Sequence, residues 1–112
     1  MDNHVAKRWE GDGEAGVNFW CPGCNRVHSI RSEGPRSNWG FNGDYEKPTF
    51  TPSVLVTRPA KPDAPESFKE YREGIVCHSF VTNGQIQFLG DCTHKLANQT
   101  VPLPLLSTWR YD

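Results

Sequence analysis

Residues 76–92, VCHSFVTNGQIQFLGDC, hold two alternating segments on either side of Asn83-Gly84. Asn-Gly is the pair best suited to a type I′ turn, because both central positions need φ > 0. The stretch therefore predicts a tight β-hairpin with Thr82 opposite Gln85, Val81 opposite Ile86 and, further down, Cys77 opposite Gly90. Side chains alternate with period two, so Cys77 and Cys92 share one face at the open end as diagonal neighbours, about 7–8 Å apart. His78 and Asp91 are diagonal neighbours on the other face by the same register.

A second cysteine pair, Cys21-Pro22-Gly23-Cys24, lies far upstream. Pro22 and Gly23 suit a tight turn, the strand-like run 17–20 enters it, and residues 26–31 (RVHSIR) alternate as a return strand, so the segment reads as a zinc knuckle. Tetrahedral zinc takes four cysteines, three cysteines with one histidine, or two of each. Cys21, Cys24, Cys77 and Cys92 satisfy it alone and are the predicted ligands. The pattern C-x2-C then C-x14-C lacks the second C-x2-C of an ordinary ribbon. Replacement of Cys92 by His94, or of Cys77 by His78, therefore stays open. His28 reads as a surface or supporting histidine and His4 as uninvolved.

The chain has 112 residues, enough for one domain, with 36% hydrophobic and 22% charged residues, 10 Gly and 9 Pro. Chains this short bury a smaller fraction of their surface than larger ones, so a metal staple helps. The expected class is mainly β: a small antiparallel sheet of hairpins stapled by one zinc, with at most one short helix. Four Trp and six Phe predict an aromatic-rich core. A formal net charge of −1 gives no general attraction for a phosphate backbone. The first residues lack the apolar run of a signal peptide, and no stretch approaches a membrane span. The expectation is a cytoplasmic protein, in the host cytoplasm if phage-encoded, where four cysteines hold metal rather than form disulfides.

Along the chain, residues 1–15 read as a loose polar arm anchored by Trp9. Asn42-Gly43 marks a second reversal, the proline-bearing run 48–52 an extended crossing, and residues 53–57 a strand. A Pro-rich loop over 58–66 precedes the one helical candidate, 67–73, with Phe68 and Tyr71 on one face. Residues 93–106 read as a turn followed by a proline-interrupted strand packed on the sheet. Trp109 and Tyr111 are expected to dock on the core or mediate self-association.

A carboxylate beside an imidazole fixes its tautomer and raises its basicity, so His78 and Asp91, with His94, are the candidate catalytic residues. Were His94 and Asp91 metal ligands around an open position, the ion could activate water. Four thiolates leave no such position. H-E-x-x-H, the deaminase H-x-E and the phosphate-binding glycine loops do not occur. A redox role for Cys21 and Cys24 lacks the β-α-β context it needs.

The runs FWCPGCNRVH (19–28), GDYEKPTFTPSVLV (43–56) and CHSFVTNGQIQFLGDCTHKLANQTVPLP (77–104) together resemble a family of short uncharacterised phage and prophage proteins. Relatives of that family sit beside bacterial ubiquitin-like conjugation genes, and some carry a misleading ammonia monooxygenase label. The resemblance implies a phage protein in which Cys21, Cys24, Cys77, His78, Asp91 and His94 match a recurring metal-site motif. More distant relatives lack an obvious equivalent of Cys92, which keeps His78 and His94 open as ligands. The expected function is that of a small zinc-binding protein, the metal mainly structural, that acts by binding a host or phage protein. The first alternative is a zinc-dependent hydrolase or peptidase in a ubiquitin-like pathway. The second, a nucleic-acid-binding module, would draw on Lys7, Arg8, Arg26, Arg31 and Arg36, which acidic residues balance.

Overall fold

A computed structural model describes residues 3–66 and 74–109. Its nine strands are β1 (Ala6–Gly11), β2 (Glu14–Cys21), β3 (Arg26–Glu33), β4 (Gly40–Phe41), β5 (Phe50–Thr51), β6 (Val54–Arg58), β7 (Ile75–Thr82), β8 (Gln85–Phe88) and β9 (Thr100–Pro102). They form three antiparallel sheets in the orders β1-β2-β3, β4-β5 and β6-β7-β8-β9. A 3-10 turn, Leu106–Thr108, follows. Among the described residues there is no α-helix, and none long and apolar enough to cross a membrane. The helical expectation for 67–73 and the docking of Tyr111 fall outside the described residues.

The mainly β, antiparallel architecture is as expected, and β7-β8 has the predicted register near the turn, with Thr82↔Gln85 and Val81↔Ile86 around Asn83 (φ 51) and Gly84 (φ 80). The expected continuation to Cys77 opposite Gly90 is absent: the ladder ends at Ser79↔Phe88 and the chain turns at Gly90-Asp91, closed by the Cys92 amide donating to the Leu89 carbonyl at 3.2 Å. The knuckle strands are β2 and β3, paired from Cys21↔Arg26 upward. Residues 1–15 are not a loose arm throughout: β1 pairs with β2 from Ala6↔Phe19 to Gly11↔Glu14. The turn between them is Asp12 (φ 54) and Gly13 (φ 77), a second I′-type pair whose acidic surroundings disguised a hairpin as a polar tail. Val5 and Ala6 are buried at its start, and the Trp9 indole donates to the Ile30 carbonyl at 3.2 Å.

The core is aromatic at its centre. Phe19, Phe50 and Phe88 are fully buried with Val17, Ile30, Val81 and Ile86. Phe19 meets Phe50 at a centroid distance of 5.4 Å, and Phe50 meets Phe41 at 5.5 Å, which joins the first sheet to the short β4-β5 ribbon. The Trp109 ring is buried and lies 6.3 Å from Trp20. The resulting frame clamps the knuckle turn against the open end of β7-β8.

One buried charge depends on pH. Glu14 is 7% exposed, and its carboxylate accepts from Arg31 Nε at 2.7 Å and Arg36 Nε at 2.5 Å. The Arg36 hydrogen bond, with further help from Arg31, holds its pKa below the ordinary 4.5. A depressed carboxyl contributes stability that is present above the unfolded value and lost as pH falls through the folded one. The melting temperature should therefore decline below about pH 4.5 more steeply in the wild type than in Glu14→Gln; parallel acid limbs would exclude this contribution.

Candidate active site and metal centre

Two sets of side chains meet on the β7 segment, on opposite faces. Outward from the sheet stands His78. Its Nδ1 lies 3.1 Å from Asp91 Oδ2 and its Nε2 lies 3.0 Å from Ser53 Oγ. An ionised carboxylate only accepts hydrogen bonds, so Nδ1 carries the proton in neutral His78 and Nε2 is left to accept from the Ser53 hydroxyl. That is the nucleophile, base and orienter arrangement of a Ser-His-Asp triad.

The predicted pairing of His78 with Asp91 is present. Ser53 escaped sequence reading. It lacks the G-x-S-x-G elbow, and it reaches His78 only because β6 pairs with β7 in one register, with Leu55↔His78 and Val54↔Ser79. Continuing that register by one residue sets Ser53 beside Phe80 and diagonal to His78, on the same face. The Trp39 indole donates to the Ser53 carbonyl at 3.3 Å, which holds the main chain at the strand's start. The histidine and aspartate side chains are 26% and 55% exposed, so a substrate can reach them.

On the inward side are the cysteines, all four free thiols. Ligand atoms of Cys21, Cys24, His28 and Cys77 lie within 4.8 Å of one another, a group that could hold a metal ion. A second group, Cys77, Cys92 and His94, meets the same limit and shares Cys77. Cys21 Sγ is 3.6 Å from Cys77 Sγ, and Cys77 Sγ is 3.5 Å from His94 Nε2. Tetrahedral zinc with bonds of about 2.3 Å to sulfur and about 2.0–2.1 Å to nitrogen sets its donors roughly 3.5–3.8 Å apart, so both separations fit.

The predicted ligands Cys21, Cys24 and Cys77 come together. Cys92 does not join their group; its sulfur lies 3.2 Å from both the His78 amide nitrogen and the His78 carbonyl oxygen. His28, read from sequence as peripheral, is buried beside the thiols, and its Nε2 has no hydrogen-bond partner among the described residues. His4 is exposed, with its ring 6.3 Å from Tyr45.

Packing three thiols together splits their acidities. Cys24 is driven far below the ordinary thiol value, first by Cys21, then by Cys77, with the neighbouring His28 adding to it. Cys21 is pushed up to about 12, chiefly by its hydrogen bond with Cys24, and Cys77 is pushed higher still by Cys21 and Cys24. Without a cation the cluster accommodates one thiolate at the expense of the others; a divalent ion lets all of them ionise.

Gly23 closes the knuckle against the hairpin. A Cβ there would stand 2.3 Å from His94 Cε1. The His94 ring has little room to yield: its Nδ1 accepts from the Leu96 amide at 3.2 Å, and it packs edge-on to Phe88 at 4.4 Å. Gly23→Ala should cost about 1–3 kcal/mol through overpacking, read from urea unfolding; an unchanged midpoint would mean the two elements are not held this close.

The family model described as "Bacterial ubiquitination-like system serine protease (BubE)" matches residues 2–89. No curated protein and no solved structure matches the chain.

Proposed function

The chain belongs to the BubE family of bacterial ubiquitination-like system serine proteases, and from that premise we propose that it is a serine protease acting in a ubiquitin-like conjugation system. The observation that carries this reading is His78 bridging Ser53 and Asp91 through its two ring nitrogens, at 3.0 and 3.1 Å. Ser53 Oγ attacks the scissile carbonyl while its proton passes to His78 Nε2, and Asp91 stabilises the imidazolium that results. The imidazolium then gives that proton to the leaving amine as the C–N bond breaks. Water, deprotonated in turn by His78, hydrolyses the Ser53 ester and restores the enzyme. The expected protein partner is thus the polypeptide that is cut.

The metal takes no step in this chemistry. Cys21, Cys24, His28 and Cys77 would hold zinc as a closed, structural site. Support comes from their mutual proximity and from the unpartnered, buried His28 Nε2. The second group offers Cys92 and His94 as competing fourth donors beside Cys77. Cobalt substitution separates the four-cysteine set from a set with one histidine, since the intensity of the thiolate charge-transfer band counts four sulfurs or three, and His28→Ala or His94→Ala then shows which histidine is bound.

A fluorophosphonate probe tests the enzymatic reading. It should label wild-type protein at Ser53, as mapped by mass spectrometry of the modified peptide, and label neither Ser53→Ala nor His78→Ala. Equal labelling of all three proteins would overturn the assignment.

A further inference from the structure

The face of the sheet that carries the triad also carries large exposed apolar side chains among its polar ones. Among the described residues the exposed large hydrophobic side chains are Leu55 (53%), Phe80 (43%) and Leu105 (39%). Two of them flank the nucleophile and its base. Leu55 is the cross-strand partner of His78, and continuing that register one residue past its last pair, Val54↔Ser79, brings Phe80 next to Ser53. Adjacent positions at strand spacing are about 5 Å apart, so both side chains lie within reach of a residue next to a bond held at Ser53 Oγ. An isolated exposed leucine needs no explanation, but two large apolar groups bracketing a nucleophile mark a binding surface.

Among the described residues the main chain of Leu55 beside them is unpaired as well. β6 is the edge strand of its sheet, and among the described residues no strand pairs with its outer side. Leu89 N donates to the His78 carbonyl at 2.9 Å, so the polar groups of His78 turn toward β8, and those of its neighbours Cys77 and Ser79 turn toward β6. The ladder bonds to β7 then come from Val54 and Val56, which leaves the amide and carbonyl of Leu55 directed outward. The Ser53 carbonyl, also outward, is taken by Trp39. An added strand can therefore pair from Leu55 onward, with its chain running past Ser53.

Resting on the serine-protease reading, we propose that the enzyme takes an extended polypeptide along the outer edge of β6 at Leu55 and selects apolar side chains next to the scissile bond through Leu55 and Phe80. The test uses the full-length protein and a peptide library made by digesting a bacterial proteome with a lysine-specific protease, with new termini read by mass spectrometry. Cleavage should favour Leu, Ile, Val, Met or Phe over polar residues at a position flanking the bond by about tenfold or more. Phe80→Lys and Leu55→Lys should each redirect the preference toward Asp or Glu at the subsite they line, a gain that misfolding cannot imitate. Cleavage without apolar enrichment, or a preference unmoved in both variants, overturns the subsite. So does Ser53 labelling by fluorophosphonate with no peptide cut. Absence of both labelling and cleavage instead defeats the protease reading on which the subsite rests.

Discussion

Asp91→Asn should lower kcat/KM for any cleaved peptide by about 10⁴-fold while leaving the fold intact. The reason lies in one proton. Asp91 accepts from His78 Nδ1 across 3.1 Å and so leaves Nε2 unprotonated toward Ser53. A carboxamide at the same place can donate instead, which favours the opposite tautomer and points an N–H at the hydroxyl that must lose its proton. The side chain is 55% exposed, and exposed substitutions change stability by about 0.5 kcal/mol or less. Thermal melting should therefore be nearly unchanged. Ser53→Ala should abolish turnover with metal content unaltered. The rival in which the ion activates water predicts the reverse: activity retained in Ser53→Ala and lost with the metal. Turnover in Asp91→Asn within tenfold of wild type would remove Asp91 from the mechanism.

The hairpin that holds both sites was legible because its information is local. Asn83-Gly84 sets the turn and the turn sets the register, which places Cys77 and His78 on opposite faces of β7; the ladder ends at Ser79↔Phe88, and Asp91 and Cys92 follow in the turn after β8 rather than in the strand. His78 meets Asp91 as expected, but across the turn after β8 and not by strand pairing. The knuckle was legible for the same reason, since Cys21 and Cys24 flank their own turn. Ser53 was not, because its role depends on which strand pairs with β7 and at what offset, a contact across 25 residues that no local pattern encodes. His28 was underrated because a histidine four residues after Cys24 has no fixed relation to the ion until β3 folds back beside β2. β1 was missed because Asp12-Gly13 sits among other acidic and glycine residues, where turn chemistry resembles disorder. Under the proposed function the choice posed by the hairpin, between a cysteine face and a histidine face, dissolves: with Ser53 as nucleophile, an ion on the cysteine face would be free to have a closed coordination shell.

Removal of the metal should silence the protease indirectly, by loosening the frame that holds the triad. Cys77 is joined to His78 through one peptide bond and Cys92 to Asp91 through another, while Cys21 and Cys24 anchor the opposite sheet. An ion bound to Cys21, Cys24 and Cys77 would therefore tie the β2-β3 hairpin to the strand that carries the proposed base, His78. Structural zinc sites bind with apparent free energies of about 10–16 kcal/mol at neutral pH, comparable to or above the whole stability of a small domain, about 5–15 kcal/mol. Chelation, or Cys77→Ser, should accordingly abolish the cooperative thermal transition, flatten the near-ultraviolet circular dichroism of the aromatic core and stop fluorophosphonate labelling, all with one time course. Cobalt in place of zinc should restore the three together, because a structural ion is judged by its ligands and not by its Lewis acidity. A chelated protein that keeps its aromatic dichroism and melting transition yet loses labelling would give the ion a direct part in catalysis. One that keeps all three signals would show that the thiol cluster holds the fold without an ion. Joint loss and joint recovery are expected, since His78 can bridge Ser53 and Asp91 only while β6, β7 and the segment bearing Asp91 stay in register.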